Sequence, residues 1–229
     1  MDELEEAFQE QSRCVSDASH ELKTPLTALH GHVSMHKRWW KNDKDRLEKS
    51  LDTCISEVER LTKIVNDMLT LSREEKVEID LENINEVEPK IIIDEVIEQY
   101  KILNPDVNYT TNIDDIKVKI DPNDLKQLLI IFIDNSIKYN NKNNIEIRIN
   151  FKKILNKMQI EVIDNGIGIP SEEVNNVMKR FYKVDKSRKH NSSFGIGLSI
   201  ASRIVKNYNG EIFISSELDK YTKVTVVFK

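Results

Sequence analysis

Along the first third of the chain, apolar or small residues recur in steps built from threes and fours. Phe8, Val15, Ala18, Leu22, Leu29 and Trp39 mark one such line over residues 2–41. Leu47, Leu51, Cys54, Val58, Leu61, Val65 and Met68 mark a second over residues 44–73. This is the period of a heptad seam, so both stretches are predicted as amphipathic helices. Asn42, Asp43 and Lys44 form a short polar break between them, which predicts a helical hairpin. Two helices alone bury little surface. A second copy would complete a four-helix bundle, so a homodimer is expected.

From about Val77 the period shortens. Ile145, Ile147, Ile149 and Phe151 alternate with polar residues, as do Met158, Ile160 and Val162. "EIFISS" and "KVTVVF" read as two further strands joined by a turn around Leu218 to Tyr221. Helical runs lie between them, over Ile91–Leu103, over Asp124–Tyr139 with Asp121-Pro122 opening it, and over Leu198–Tyr208. The seam stops near Arg73–Lys76, which predicts two domains, 1–75 helical and 76–229 with mixed helices and strands. No internal repeat or low-complexity tract interrupts either.

Composition narrows the function classes. The formal net charge of −5 gives no electrostatic reason to expect a nucleic-acid partner. The longest apolar run, Leu128 to Ile133, is far short of the ~20 residues that span a bilayer. The acidic start (Asp2, Glu3, Glu5, Glu6) has no basic region ahead of an apolar core and is not read as a signal peptide. Membrane attachment is therefore expected only through segments outside this chain. In an antiparallel hairpin Cys14 and Cys54 would sit ~27 Å apart at 1.5 Å per residue, so two reduced thiols in a cytosolic setting are expected.

Within the first helix, "SDASHELKTPLTALHGH" places Pro25 in a strongly helical stretch. Proline there removes a backbone donor to the carbonyl of Glu21 and costs about 3 kcal/mol. With Ala18 and Leu22 on the seam, His20 falls on the most solvent-exposed heptad position. A lone histidine there is ordinarily a solvated surface residue. Here Glu21 is adjacent and can take a ring proton, Pro25 loosens the turn carrying His20, and Thr24 lies one turn on and could orient a water. A neutral imidazole keeps a lone pair on one ring nitrogen, which makes it a competent phosphoryl acceptor if a donor exists. His32 and His36, with His30 nearby, have a spacing that could hold a metal on one face. No acidic residue or cysteine completes the set, so they are read as polar seam positions.

The donor is sought at the glycines. Four of the six fall in two short motifs, "DNGIGIP" (Asp164–Pro170) and "FGIGLSIA" (Phe194–Ala201). Either could be a simple turn. Neither is a dinucleotide fingerprint, because Ser171 and Ile200 occupy the third glycine position, and no phosphate loop of the G-x-x-x-x-G-K type occurs. Asp164 ends an apolar strand, where its carboxylate could accept from an exocyclic amine such as that of adenine. In "IDNSIKYNN", Asn135 offers an oxygen to a hard cation and Lys138 a charge to phosphates. Residues 179–190 hold six Lys or Arg and one Asp, which reads as a solvated basic loop or as a lid over a polyphosphate. The helix beginning near Gly197 could then meet phosphate oxygens with free N–H groups.

Taken together these stretches resemble the catalytic core of a bacterial sensor histidine kinase. "SHELKTPL" is similar to the H-box, "DNSIKY" to the N-box, "DNGIGIP" to the G1 box, "RFYKVDKSR" to the F-box and "FGIGL" to the G2 box, all in family order. The resemblance implies a dimeric four-helix phosphotransfer domain followed by a Bergerat-type α/β sandwich that binds ATP, shared in outline with gyrase, Hsp90 and MutL ATPases. By the same resemblance His20 matches the phosphoacceptor, Glu21 its acidic partner and Thr24 the position that orients water for dephosphorylating the partner. Asn135 matches the Mg²⁺ ligand, with Lys138 and Tyr139 beside the nucleotide. Asp164 matches the adenine reader, and Gly166, Gly168, Gly195 and Gly197 match the glycines flanking the lid.

Three positions depart from the usual pattern. Ile131 stands where many members have a second Asn, Lys183 where an Arg often follows the F-box Phe-Tyr, and Ser193 at the first glycine of the G2 box. Each is expected to lower ATP affinity or turnover. The implied activity is ATP-dependent autophosphorylation of His20, then transfer to an aspartate on a response regulator receiver domain, with phosphatase activity on that regulator as a possible second role. The competing readings are a Bergerat-type ATPase clamp and a degenerate kinase acting as a dimeric scaffold.

Overall fold

In the computed structural model, residues 2–39, 44–72, 84–155, 157–184 and 195–228 are described. The expectations on the basic stretch 185–190, on Ser193 and on the linker at 73–76 lie outside them. The chain divides into two compact units, one over Met1–Glu74 and the other over Glu75–Asn191 and Gly195–Lys229.

The first unit is a pair of long helices, α1 (Asp2–Trp39) and α2 (Lys44–Ser72). α1 continues through Pro25. Two threonine hydroxyls near the proline bond back to the helix: Thr27 Oγ1 donates to the Lys23 carbonyl at 2.7 Å, and Thr24 Oγ1 makes a longer bond to that of His20 at 3.4 Å. Such back-bonding supplies local polar contacts to the turn whose ladder the proline interrupts. Across the hairpin, His32 Nδ1 lies 3.2 Å from the buried hydroxyl of Ser50, so His32 is a polar seam position, as its spacing suggests.

Within a single chain the α2 seam is covered only in part. Ser50 and Ile64 are buried and Leu61 and Cys54 half-buried. Leu51, Val58 and Val65, expected on the same seam, stay 52%, 51% and 45% exposed, with Ile55 and Leu69 exposed beside them. The physical reason is that an α2 facing a single neighbour covers only one flank of its apolar stripe. The other flank is left as a second line at seven-residue spacing.

The second unit is a two-layer α/β sandwich. In chain order it runs β1 (Glu86–Val87), α3 (Pro89–Leu103), β2 (Val107–Ile113), β3 (Val118–Lys119), α4 (Pro122–Lys138), β4 (Ile145–Ile154), β5 (Lys157–Asp164), α5 (Gly197–Asn207), β6 (Glu211–Glu217) and β7 (Tyr221–Phe228). β1 and β3 form a small antiparallel pair; the main sheet has the order β2-β4-β5-β7-β6. All its pairings are antiparallel except β2 with β4, which run parallel because β3 and α4 form the crossover between them. The strands 107–113, 86–87 and 118–119 have no counterpart in the sequence expectation.

One face of the sheet carries Ile147, Ile149, Phe151, Ile160, Val162, Val226 and Phe228, all buried, and meets the apolar sides of the three helices. α4 contributes Leu125, Leu128, Leu129, Phe132 and Ile133. The opposite face is polar: Asn150 Nδ2 donates to Glu161 Oε2 at 3.1 Å, and Lys223 pairs with Glu161 at 3.6 Å. α4 starts as its sequence dictates, with the Asp121 carboxylate accepting from the Asn123 N–H at 2.7 Å and Pro122 in the first turn. Tyr208, at the end of α5, donates to Asp124 at 2.7 Å and accepts from the Asp121 N–H at 3.0 Å. This ties the far ends of α4 and α5 together and leaves their other ends to shape a cleft. Among the described residues no helix is long and apolar enough to cross a membrane.

Candidate functional site

The cleft is built on the end of β5. Asp164 is the last residue of that strand and is 8% exposed. Its Oδ1 accepts the Gly166 N–H at 2.8 Å and its Oδ2 accepts the Ser136 hydroxyl at 3.1 Å. Ser136 sits on α4 and also reaches the Phe132 carbonyl at 2.9 Å. Burial pushes the Asp164 carboxyl above its ordinary 3.8; the bonds from Gly166, Ser136 and the Thr222 backbone, with the charge of Lys142, oppose that rise. A desolvated, oriented carboxylate with lone pairs to spare suits a donor ligand.

The following loop is gripped on two sides. The Ile167 N–H donates to the carbonyl of Tyr139, the C-terminal cap of α4, at 3.0 Å. The Asp219 N–H donates to the Ile167 carbonyl at 2.7 Å, and the Ile169 N–H to Ser216 Oγ at 2.8 Å. The glycines follow from this crowding. A Cβ on Gly166 would lie 2.5 Å from the Tyr139 oxygen and 2.7 Å from Asp164 Oδ1. Gly168 has φ +68° and runs against the Glu217 carbonyl, where no side chain fits.

On the same side of the sandwich, α4 ends with Asn135, Lys138 and Tyr139, all half-buried. The Lys138 ammonium lies 5.5 Å from the centre of the Tyr139 ring. Gly197 opens α5, and a Cβ placed there would lie 3.3 Å from the side chain of Ile131, one turn before Asn135. Gly195, at φ +69°, accepts the Phe181 N–H at 2.9 Å, which pins the start of the segment after Phe181 to its end. Tyr182 bonds through its hydroxyl to Glu173, lowering the Glu173 carboxyl and raising the phenol. Lys183 follows, half-buried.

Comparison with known proteins sets this cleft in a family. Residues 120–229 match the model of histidine kinase-, DNA gyrase B- and HSP90-like ATPases, and residues 10–76 that of the His Kinase A (phospho-acceptor) domain. The chain belongs to the sensor histidine kinases. The signal transduction histidine-protein kinase ArlS of Staphylococcus haemolyticus is 39% identical over 232 residues, covering 100% of this chain and 51% of its own length. ArlS of Staphylococcus aureus strain USA300 is also 39% identical, over 236 residues. The chain thus spans about half the length of the curated relatives it matches. Among solved structures, histidine kinase ThkA in complex with the response regulator protein TrrA gives a TM-score of 0.75 at 22% identity, covering 99% of this chain and 65% of that one. Acinetobacter baumannii histidine kinase AdeS gives 0.70 at 23% identity, covering 92% and 97%. At these identities the likeness establishes the fold.

In histidine-kinase terms, the structure gathers Asn135, Lys138, Tyr139, Asp164, Gly166, Gly168, Gly195 and Gly197 on the ends of α4, β5 and α5 and the loops between them. His20, Glu21 and Thr24 belong to the other unit, on α1. His20 and Thr24 are exposed and Glu21 is half-buried. Ile131, one of the departures, stands beside the start of α5, where a Cβ on Gly197 would meet it at 3.3 Å. Sequence reasoning missed Ser136, which holds one oxygen of Asp164 from 28 residues away. The only sequence signal was its place inside "DNSIKY", beside the candidate cation ligand.

Proposed function

We propose that the chain is the catalytic core of a two-component sensor kinase: residues 76–229 bind ATP·Mg²⁺ and transfer its γ-phosphoryl group to His20 in the domain of residues 1–75. The observation that carries this reading is an exposed His20 beside a half-buried Glu21, on a helix matching the phospho-acceptor family, in one chain with a glycine-looped cleft ending in a buried carboxylate. Asp164 accepts from the adenine amine. The α5 N-terminus at Gly197, with Lys138 and Lys183, faces the phosphates.

Among the described residues no group of three or more His, Cys, Asp or Glu could hold a metal by itself. The donor set fits Mg²⁺ brought by the nucleotide, with the Asn135 amide oxygen as protein ligand, since Mg²⁺ commonly keeps waters and phosphates and takes only one or two protein oxygens. When bound, the ion would neutralise phosphate charge. The chain's own part is positioning. Glu21 takes a proton from one ring nitrogen of His20, the other nitrogen forms a bond to the γ-phosphorus, and the bond to the ADP oxygen breaks.

The phosphoryl group then passes to an aspartate on a response regulator receiver domain docked near His20, along the face carrying Thr24, Thr27 and Gly31. Thr24 orients water for the reverse phosphatase role. The chain works as a homodimer through the exposed line Leu51, Ile55, Val58, Val65 and Leu69 of α2, on the cytoplasmic side of a membrane reached through other segments.

The test is labelling from γ-³²P-ATP. Wild-type protein should take up label, and His20→Gln should take up none while binding ADP as before. Stable label on the His20→Gln protein refutes the assignment.

A further inference from the structure

Asn165, the residue between the base-reading carboxylate and the first loop glycine, uses both ends of its side-chain amide within the protein. Its Oδ1 accepts twice, from Asn140 Nδ2 at 2.9 Å and from the Glu146 N–H at 3.1 Å. Its Nδ2 donates to the Asn144 carbonyl at 2.9 Å. Its own N–H donates to the Glu146 carbonyl at 3.3 Å. The partners all lie on residues 140–146, the link from α4 to β4 and the first two residues of that strand. Asn140 in turn accepts the Lys142 N–H on its own Oδ1 at 3.0 Å, folding that link back on itself. Asn144 continues the network: its Oδ1 accepts from Asn108 Nδ2 on β2 at 2.5 Å, and its Nδ2 donates to Glu146 Oε1 at 2.9 Å.

We infer that Asn165 is a positioning residue for purine recognition: its amide clasps the 140–146 link to the end of β5 and so fixes the backbone that presents Asp164. The inference rests on the nucleotide reading above. Asp164 is held from behind by Ser136 and from ahead by the Gly166 N–H. Two anchors fix Gly166 in turn, the Ile167 bond to the Tyr139 carbonyl and the Asn165 clasp to the residue after it, Asn140. Tyr139 and Asn140 therefore grip the Asn165–Ile167 stretch as a pair. Only a carboxamide accepts twice and donates in this arrangement. An aspartate would keep the two acceptances but set a charge against the Asn144 carbonyl, and an aliphatic side chain would offer neither. The clasp touches the base end of the cleft. The phosphate end, at the start of α5, has its own anchors at Phe181 and Gly195.

The clasp is tested by the balance between base and phosphate recognition. Inosine diphosphate carries a carbonyl where adenine carries its amine, so it offers Asp164 no donor. Binding of ADP and of inosine diphosphate, each with Mg²⁺, is measured by titration calorimetry on the whole chain. Wild type should prefer ADP by about tenfold or more, because an unpaired buried acceptor is costly. In Asn165→Ala, ADP should bind about tenfold more weakly while inosine diphosphate changes less than about twofold, collapsing the preference. Asn140→Ala removes the partner amide together with its own turn bond to the Lys142 N–H, and should move the same ratio in the same direction; it carries the test if Asn165→Ala fails to fold. Parallel weakening of both nucleotides, or no change in the ratio, overturns the clasp while leaving the nucleotide site standing. A wild-type chain that binds neither nucleotide overturns the site itself and the clasp with it.

Discussion

A buried carboxylate with a raised pKa has opposite consequences for folding and for binding. Asp164 loses hydration when the chain folds, so its ionised form is disfavoured relative to the unfolded state. The stability it contributes is therefore greatest below its ordinary 3.8 and is lost as pH rises through the higher folded value. Binding of an adenine amine needs the ionised acceptor and moves the other way. ADP affinity should fall as pH drops through the folded pKa, with a midpoint above 3.8, and Asp164→Asn should abolish that acid limb together with the ADP preference. The same substitution should leave the thermal midpoint at neutral pH equal or higher, because it removes a desolvated charge. A pH series of titrations and a thermal melt check the two halves. Gly168→Ala should cost about 1–3 kcal/mol, from its positive φ and the Glu217 carbonyl in its path, and should lower the midpoint by several degrees in calorimetry.

At the scale of elements, the uncovered line on α2 places five exposed apolar side chains along one helix of the helical unit. Burying half-exposed Leu, Ile or Val side chains contributes about 1 kcal/mol each, so five of them supply a useful association energy. Val58→Asp, at the middle of that line, should convert a dimer to a monomer in sedimentation velocity while the helical circular dichroism stays close to wild type. Elements with strong periodicity were legible in the chain. The two long helices, α4 with its Asp-Pro opening, and β4 to β7 with their alternation all emerge within a few residues of their observed ends. The parallel edge strand β2 was not, because "VNYTTNI" is mostly polar and gains its place only by pairing with β4. The α2 seam was legible as apolar but not as divided, since the period alone does not say how many neighbours share a stripe. Site residues showed the same contrast. Asp164 and the glycines sit in compact motifs, whereas the partners of Ser136 and Asn165 lie 28 and 25 residues away and only the folded chain joins them.

For the molecule as a whole, the function proposed above has two units dividing one reaction. In that reading, residues on the α4, β5 and α5 ends would select and hold a nucleotide, and a separate helix would offer the exposed His20 imidazole. This division explains how binding and labelling can be uncoupled by single substitutions: changes at Asp164 should remove both, and changes at His20 only the second. It also separates the kinase reading from a clamp ATPase, which would release phosphate to water and leave His20-Glu21 without a task. The most direct measurement is the site and chemistry of the phosphoryl group after incubation with ATP and Mg²⁺. The account predicts one phosphoryl group on His20, located by mass spectrometry, labile in acid and stable in base. Free phosphate with an unmodified chain, or a stable ester on a serine or threonine, would contradict it.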